Sequence, residues 1–424
     1  MERRLSPIRR VLFGLVLGAA MLFACEALCF VALSWIGGEL FSASEWQWKR
    51  VAAMARFSVL EPVVATIDVE EPWVLHPYLG FVIDPSGQKY RAPVSEYGFS
   101  GSAGPIQTRS PNKIIIGIFG GSVAEHFAES SADELVDALA QAPEFHGREF
   151  IVFRTAMGGY KQPQQLMALN YILALGGEVD ILINIDGFNE VALHATENAL
   201  RDTFPVYPRN WWGLATPLHD PQLRRLVARR DFLSDRITSV AKRHSRDFLS
   251  VSAIANTIWF ATHSMLMRDF AEAERALWEV ETQNHYVTTG PSLKVEEDLY
   301  EHLAAIWMRS SLQMDRLSLE NEIRYFHFLQ PNQYFSEAKP MGAKEQKAAY
   351  AGDQPYRVGA ELGFPSLLRQ GAALVEQGVN FTDLSRVFDD VEEALYTDSC
   401  CHFNEVGNRI LAKHIARVIL DDLR

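Results

Sequence analysis

Hydrophobic positions along the chain fall into three regimes. Residues 11–36 are almost continuously apolar, and a helix of that length spans roughly 39 Å, enough to cross a bilayer with some tilt. Residues 112–190 differ: short β-branched runs at 114–119, 150–153 and 179–185 alternate with helical periodicity at 123–128, 132–141 and 164–175. Buried strands alternating with helices predict right-handed crossovers and a parallel sheet. The rhythm then breaks, and residues 191–321 read as a mostly helical insertion, with helical spacing at 222–246, 251–277 and 295–317. Strand character returns at 322–329, followed at 336–363 by a polar, turn-rich connection that suits a mobile segment or one lying over a site. A helix at 366–377, a short strand at 379–381 and a final helix that Asn404 can cap complete the pattern.

The apolar run is preceded by Arg3, Arg4, Arg9 and Arg10 against Glu2. Excess positive charge marks the cytoplasmic flank. Residues 1–10 are therefore expected in the cytoplasm, 11–36 as a single-pass signal-anchor, and the rest on the extracytoplasmic side, periplasmic or extracellular. Glu26 interrupts the span, and a carboxyl there requires protonation, a partner or a displaced span. A cleaved signal peptide is the rival: Leu22-Phe23-Ala24-Cys25 approximates a lipoprotein cleavage box, but 27–36 stay apolar, which favours an uncleaved anchor. Residues 37–111 form a lead-in of mixed signals whose aromatic runs, at 76–81 and 96–99, read as packing.

Composition narrows the classes. With 424 residues and 48% apolar content, the chain can bury one α/β domain with large insertions or two domains. A formal net charge of −13 argues against general nucleic-acid binding. Residues 222–246 are locally basic, as a solvated helix face or as a patch for anionic lipid or polysaccharide. Four cysteines are too few for a disulfide scaffold; Cys25 and Cys29 lie in the apolar run, and Cys400 and Cys401 are adjacent, either unpaired or as a vicinal disulfide. The cysteines show no metal-ligand spacing, and neither metal nor cofactor is expected.

Candidate chemistry begins where the first strand ends, in Phe119-Gly120-Gly121-Ser122. At the carboxyl edge of a parallel sheet the next helix points its N–H groups into the ligand crevice. Ser122-Val123-Ala124-Glu125 also fits a capping box, so the serine alone is a helix cap as readily as a nucleophile. Its partners decide: Met157-Gly158-Gly159-Tyr160, Gly187-Phe188-Asn189-Glu190, and Asp398-Ser399-Cys400-Cys401-His402.

The order of Ser, Gly, Asn, Asp and His in these four blocks resembles the SGNH branch of the GDSL hydrolases, over about 112–190 and 322–424. The resemblance implies an SGNH hydrolase-like domain at 112–424. Its expected fold is a three-layer α/β/α arrangement with a parallel, flavodoxin-like sheet, interrupted by the insertion at 191–321. It assigns Ser122 as nucleophile, His402 as its base and Asp398 as the carboxylate that orients the base. The oxyanion hole would be the Ser122 and Gly159 backbone N–H groups with the Asn189 side chain. Those residue types suit the chemistry, because a serine hydroxyl needs a base within reach and the developing oxyanion needs aimed donors. Three positions depart from the family pattern: Gly121 stands where aspartate is usual, Glu190 stands for aspartate, and Asp398 to His402 is one residue longer than Asp-x-x-His. The loop is expected to bulge, or Asp389, Asp390 or water orients the histidine instead.

The implied activity is that of a membrane-anchored extracytoplasmic serine esterase or deacylase acting on an O-acyl ester of a small molecule, lipid or glycan. An O-acyltransferase on a cell-surface polysaccharide is one alternative, and a catalytically inactive anchored scaffold or binding protein is the other.

Overall fold

The computed structural model describes residues 7–58, 73–86, 90, 92–199, 203–211, 221–283, 290, 298–336, 338–352 and 354–423. Expectations for the basic residues at 3 and 4, for Trp212 and for 295–297 lie outside them. The chain divides into two compact units, residues 1–68 with 215–285, and residues 69–214 with 286–424.

Among the described residues the second unit has seven strands: β1 (Trp73–His76), β2 (Gly80–Ile83), β3 (Lys113–Gly120), β4 (Glu149–Arg154), β5 (Ile181–Asp186), β6 (Arg324–Leu329) and β7 (Phe381–Asp383). β1 and β2 form an antiparallel hairpin, and the other five form one parallel sheet in the order β4-β3-β5-β6-β7. Counted from β3, this is the flavodoxin-like order, with its topological switch between β3 and β5. Ile114, Ile115, Ile116, Ile118 and Phe119 are all buried, as a strand covered on both faces requires. Helices Ser122–Ser130, Ala132–Leu139 and Glu405–Asp422 pack together in one layer. Gln164–Ala174, Phe188–Leu193, Leu299–Glu320 and Pro355–Glu376 make the other. The three-layer α/β/α expectation is met.

The lead-in aromatics pack. Phe81 is fully buried, its carbonyl accepts from the Tyr160 hydroxyl at 2.5 Å, and its ring meets Tyr160 edge-on and Trp73 at a tilt. Asn404 caps the last helix, accepting from the Gly407 N–H at 3.1 Å.

The connection at 336–363 is more structured than its polarity predicts. It contains helix Ala343–Ala349, and helix Pro355–Glu376 begins within it and runs through Gly359, Gly363 and Pro365. The glycines are contact positions: a Cβ on Gly359 would lie 2.6 Å from the Val191 carbonyl oxygen, and one on Gly363 2.4 Å from the Val191 side chain. Small residues here let two helices approach closely, and that packing outweighs their low helix propensity.

Of the region expected as an insertion, helix Leu299–Glu320 packs on the sheet, with Trp307 fully buried. Its indole N–H donates to Asp186 Oδ1 at 2.6 Å, which also meets His327 Nε2 at 2.8 Å; Ser311 Oγ lies 2.7 Å from His327 Nδ1. This Ser–His–Asp alignment is wholly buried.

In the first unit, helix Pro7–Gly37 contains the apolar segment Val11–Gly37, long and apolar enough to cross a membrane. Helices Ala43–Ser58, Pro221–His244 and Ala253–Gln283 accompany it, with Leu33, Trp46, Val240 and Trp259 in a shared cluster. Glu26 has its partner: it accepts from the Ser252 hydroxyl at 3.1 Å, the Ile254 N–H at 3.1 Å and the Ala253 N–H. The carboxylate thus satisfies the unpaired donors that open helix Ala253–Gln283.

Candidate active site

The turn after β3 explains its two glycines. Gly120 has φ +138°, and a Cβ there would lie 2.0 Å from the Ile185 carbonyl oxygen; on Gly121 a Cβ would lie 2.4 Å from Asn189 Nδ2. The chain can therefore cross β5 closely only without side chains, and Ser122 emerges as the first residue of helix Ser122–Ser130. The capping-box reading is overturned. The cap residue is Gly121, Ser122 Oγ turns to His402, and the Glu125 carboxylate accepts from the Gly158 N–H at 2.8 Å and from the Tyr90 hydroxyl.

Ser122, His402 and Asp398, separated by up to 280 positions, converge. Ser122 Oγ lies 2.7 Å from His402 Nε2, and His402 Nδ1 lies 2.5 Å from Asp398 Oδ2. The long Asp-to-His spacing is absorbed by a turn wound around the carboxylate. Asp398 Oδ1 accepts from the N–H groups of Cys400, Cys401 and His402 at 2.9, 3.1 and 3.2 Å. A bridge between Tyr396 and Phe403 closes the loop behind them. The carboxylate on the histidine is Asp398, so Asp389, Asp390 and water are not needed.

Burial disfavours the Asp398 charge, but hydrogen bonds and charge from His402, with the backbone N–H donors, outweigh it and hold the carboxyl at about 2. Burial likewise opposes an imidazolium, yet the Asp398 hydrogen bond and charge, aided by Cys400 and Glu125, raise His402 above its ordinary value. The His126 ring lies against His402 with centroids 4.5 Å apart.

Gly159 and Asn189 reach the same place. Asn189 Nδ2 donates to the Tyr160 carbonyl at 2.8 Å. Gly159 has φ +82°, and the aliphatic stem of Arg209 lies where its Cβ would be, 2.4 Å from Arg209 Cδ. Glu190 accepts from the Gly187 N–H at 2.9 Å and the Gln162 N–H at 2.8 Å. Burial and the Asp186 charge push its pKa up to about 8.

Ser122, Gly158, Gly159, Asn189 and His402 line a cleft of ≈ 440 Å³ with Trp73, Tyr90, Glu125, His126, Phe188, Leu193, Arg209, Tyr356 and Cys400. Sequence reading missed Glu125, His126, Arg209 and Tyr356 as lining residues. Glu125 and His126 sit one helical turn beyond Ser122, a signal available in the sequence; Tyr356 comes from the connection at 336–363, one reading of which put it over a site, and Arg209 from a distant segment that left no signal. Arg209 pairs with Glu197 at 2.9 Å and approaches the Tyr356 hydroxyl at 3.4 Å. Cys400 and Cys401 are free thiols with sulfurs 3.5 Å apart, and Cys401 Sγ is 4.0 Å from Ser122 Oγ. Among the described residues no His, Cys, Asp and Glu group could hold a metal ion.

No family model and no curated protein matches the chain. Solved structures similar to it include two esterase-type proteins. A Bacteroides fragilis protein described as a candidate acylhydrolase has 12% identity and a TM-score of 0.35, covering 76% of this chain and 92% of its own. An acetyl xylan esterase, AlAXEase, has 9% identity and a TM-score of 0.34, covering 72% of this chain and 99% of its own. At these values neither likeness transfers a family or an activity.

Proposed function

We propose that the protein is a serine esterase or deacylase, anchored in a membrane by residues 11–36 with its catalytic unit on the extracytoplasmic side. The observation that carries the chemistry is the hydrogen-bonded line from Ser122 through His402 to Asp398, opening into the cleft. Ser122 Oγ attacks the ester carbonyl while His402 Nε2 takes its proton; Asp398 holds the Nδ1–H tautomer and steadies the imidazolium. The carbonyl oxygen becomes an oxyanion, received by the Ser122 and Gly159 N–H groups and by the Asn189 N–H that does not bond Tyr160. Collapse breaks the ester C–O bond, and the imidazolium protonates the leaving alkoxide. Water, deprotonated by His402, then attacks the acyl-serine and releases the carboxylic acid with Ser122 restored. Ser122 at the positive end of its helix favours the negative charge at this point.

Replacing water by a sugar hydroxyl as acceptor would convert the same cycle into O-acyl transfer. A fluorophosphonate probe tests the central claim: it should modify Ser122 in the full chain, not in Ser122→Ala, and far more slowly in His402→Ala. A folded parent chain that resists the probe would sink the enzyme reading and favour a scaffold.

A further inference from the structure

Glu26 sets the depth of a second element. A hydrocarbon core of about 30 Å takes about 20 helical residues; counted from Val11 it ends at an outer boundary near Phe30, which leaves the last apolar turns of residues 11–36 in the outer interface. Glu26 then lies about 6 Å beneath that boundary at the helical rise of about 1.5 Å per residue. Its carboxylate holds the hydroxyl of Ser252 and the N–H groups of Ala253 and Ile254. The turn between helices Pro221–His244 and Ala253–Gln283 is therefore tied at the same depth.

Two further observations point the same way. The turn is locked from a second side by the fully buried Arg50, whose guanidinium bonds the Asn256 side chain and reaches the Ser250 carbonyl at 3.4 Å. It cannot rise away from the span without breaking the Glu26 bonds, and Arg50 fixes it to helix Ala43–Ser58. Val251 of the turn is 61% exposed and Ile258, in the second turn of helix Ala253–Gln283, is 53% exposed, like Leu28 and Val31 of the apolar segment itself. Lys242 and Arg243 before the turn and Arg246 within it are exposed; residues 237–246 carry no Asp or Glu, and Asp247 is the one acid of the turn.

We propose that residues 245–252 seat in the outer leaflet as a second membrane contact, with Val251 and Ile258 at the acyl chains and Lys242, Arg243 and Arg246 against anionic headgroups. The inference rests on reading residues 11–36 as a membrane span. A penetration of about 6 Å matches that of interfacial helices, which bury roughly 5–10 Å. Lys and Arg stems can lie along the apolar layer while their charges reach the phosphates.

The test uses the full chain in bilayer vesicles, with Cys25→Ala, Cys29→Ala, Cys400→Ser and Cys401→Ser removing the native thiols. An environment-sensitive fluorophore is attached through Val251→Cys, with Ser245→Cys as a second position on the turn. Val16→Cys reports the span, and the free fluorophore in the buffer is the aqueous reference. Lipids brominated on the acyl chain should quench the labels at 16, 251 and 245 and spare the free fluorophore. Quenching at 16 with none at 251 or 245 overturns the proposal and leaves the anchor intact. Absence of quenching at 16 overturns the anchor, and the proposal with it. In mixed vesicles, brominated phosphatidylglycerol should quench at 251 more than brominated phosphatidylcholine, by up to roughly fivefold per basic residue engaged. K242Q/R243Q/R246Q should abolish that preference. Equal quenching by both lipids in the parent overturns the headgroup assignment.

Discussion

Asp398 and His402 stand four positions apart and meet at 2.5 Å because the three intervening peptide N–H groups fold onto the other oxygen of the same carboxylate. One side chain therefore shapes the loop and orients the base. Asp398→Asn keeps an oxygen for the loop and loses the charge on the imidazole. It should retain the fold and lower kcat by about two to four orders of magnitude, measured on a p-nitrophenyl ester. Asp398→Ala should also disturb the loop, seen as a lower Tm than that of Asp398→Asn.

The acid limb of kcat/KM should lie above the ordinary histidine value of 6.5, because His402 must be neutral to act and its pKa is raised. Asp398→Asn should move that limb to lower pH. Stability carries the opposite signs at the two residues. The raised His402 contributes below 6.5 and its contribution fades as pH rises through its folded pKa; Asp398, held near 2, contributes above 3.8 and fades as pH falls toward 2. The parent should exceed Asp398→Asn in urea midpoint most clearly between those two ordinary values.

Gly120 and Gly121 should fail differently. Gly120→Ala drives a Cβ into the Ile185 backbone at positive φ and should cost folding, with a loss of several kcal/mol on the scale of about 2–4 in urea titrations. Gly121→Ala meets the movable Asn189 amide instead. It should leave a folded protein whose kcat drops by about 10²–10³, as loss of one oxyanion donor does.

Cys400 and Cys401 should differ toward iodoacetamide. Cys400 lines the cleft with its pKa lowered through its hydrogen bond to Cys401, whereas that bond and burial push Cys401 up. Peptide mass spectrometry should find Cys400 alkylated first, with acylation of Ser122 slowed in step. Cys400→Ser should stay active and resist the reagent; rapid alkylation of Cys401 in the native protein would contradict this.

The buried Ser311–His327–Asp186 line has the elements of a triad and no access to the cleft. A fluorophosphonate should never modify Ser311. His327→Ala removes one of several donors to Asp186, which keeps Trp307, Asn184 and Gln162, and should cost about 1–3 kcal/mol in urea titrations, as loss of a buried hydrogen-bond partner does.

Much of this was legible in the chain because it is encoded locally. β-Branched runs announced β3 and β5, since a strand buried on both faces has few other compositions, and the Gly-Gly-Ser turn announced the place where a parallel sheet meets ligand. The connection at 336–363 does reach the site, since Tyr356 lines the cleft, but its helix was not legible, because Gly359, Gly363 and Pro365 weaken a helix in isolation and are offset by contact with Val191.

The sequence alone determined the anchor-like helix, the order of buried strands and which serine, histidine, glycine and asparagine could act together, because hydrophobic period and side-chain chemistry are properties of short stretches. Tertiary structure alone decided that Asp398 takes the histidine, that Glu125 leaves its cap for Gly158, that Arg209 covers Gly159 and that Glu26 opens a distant helix. Those outcomes depend on which polar groups become neighbours once residues tens to hundreds of positions apart are buried together and must satisfy one another's hydrogen bonds.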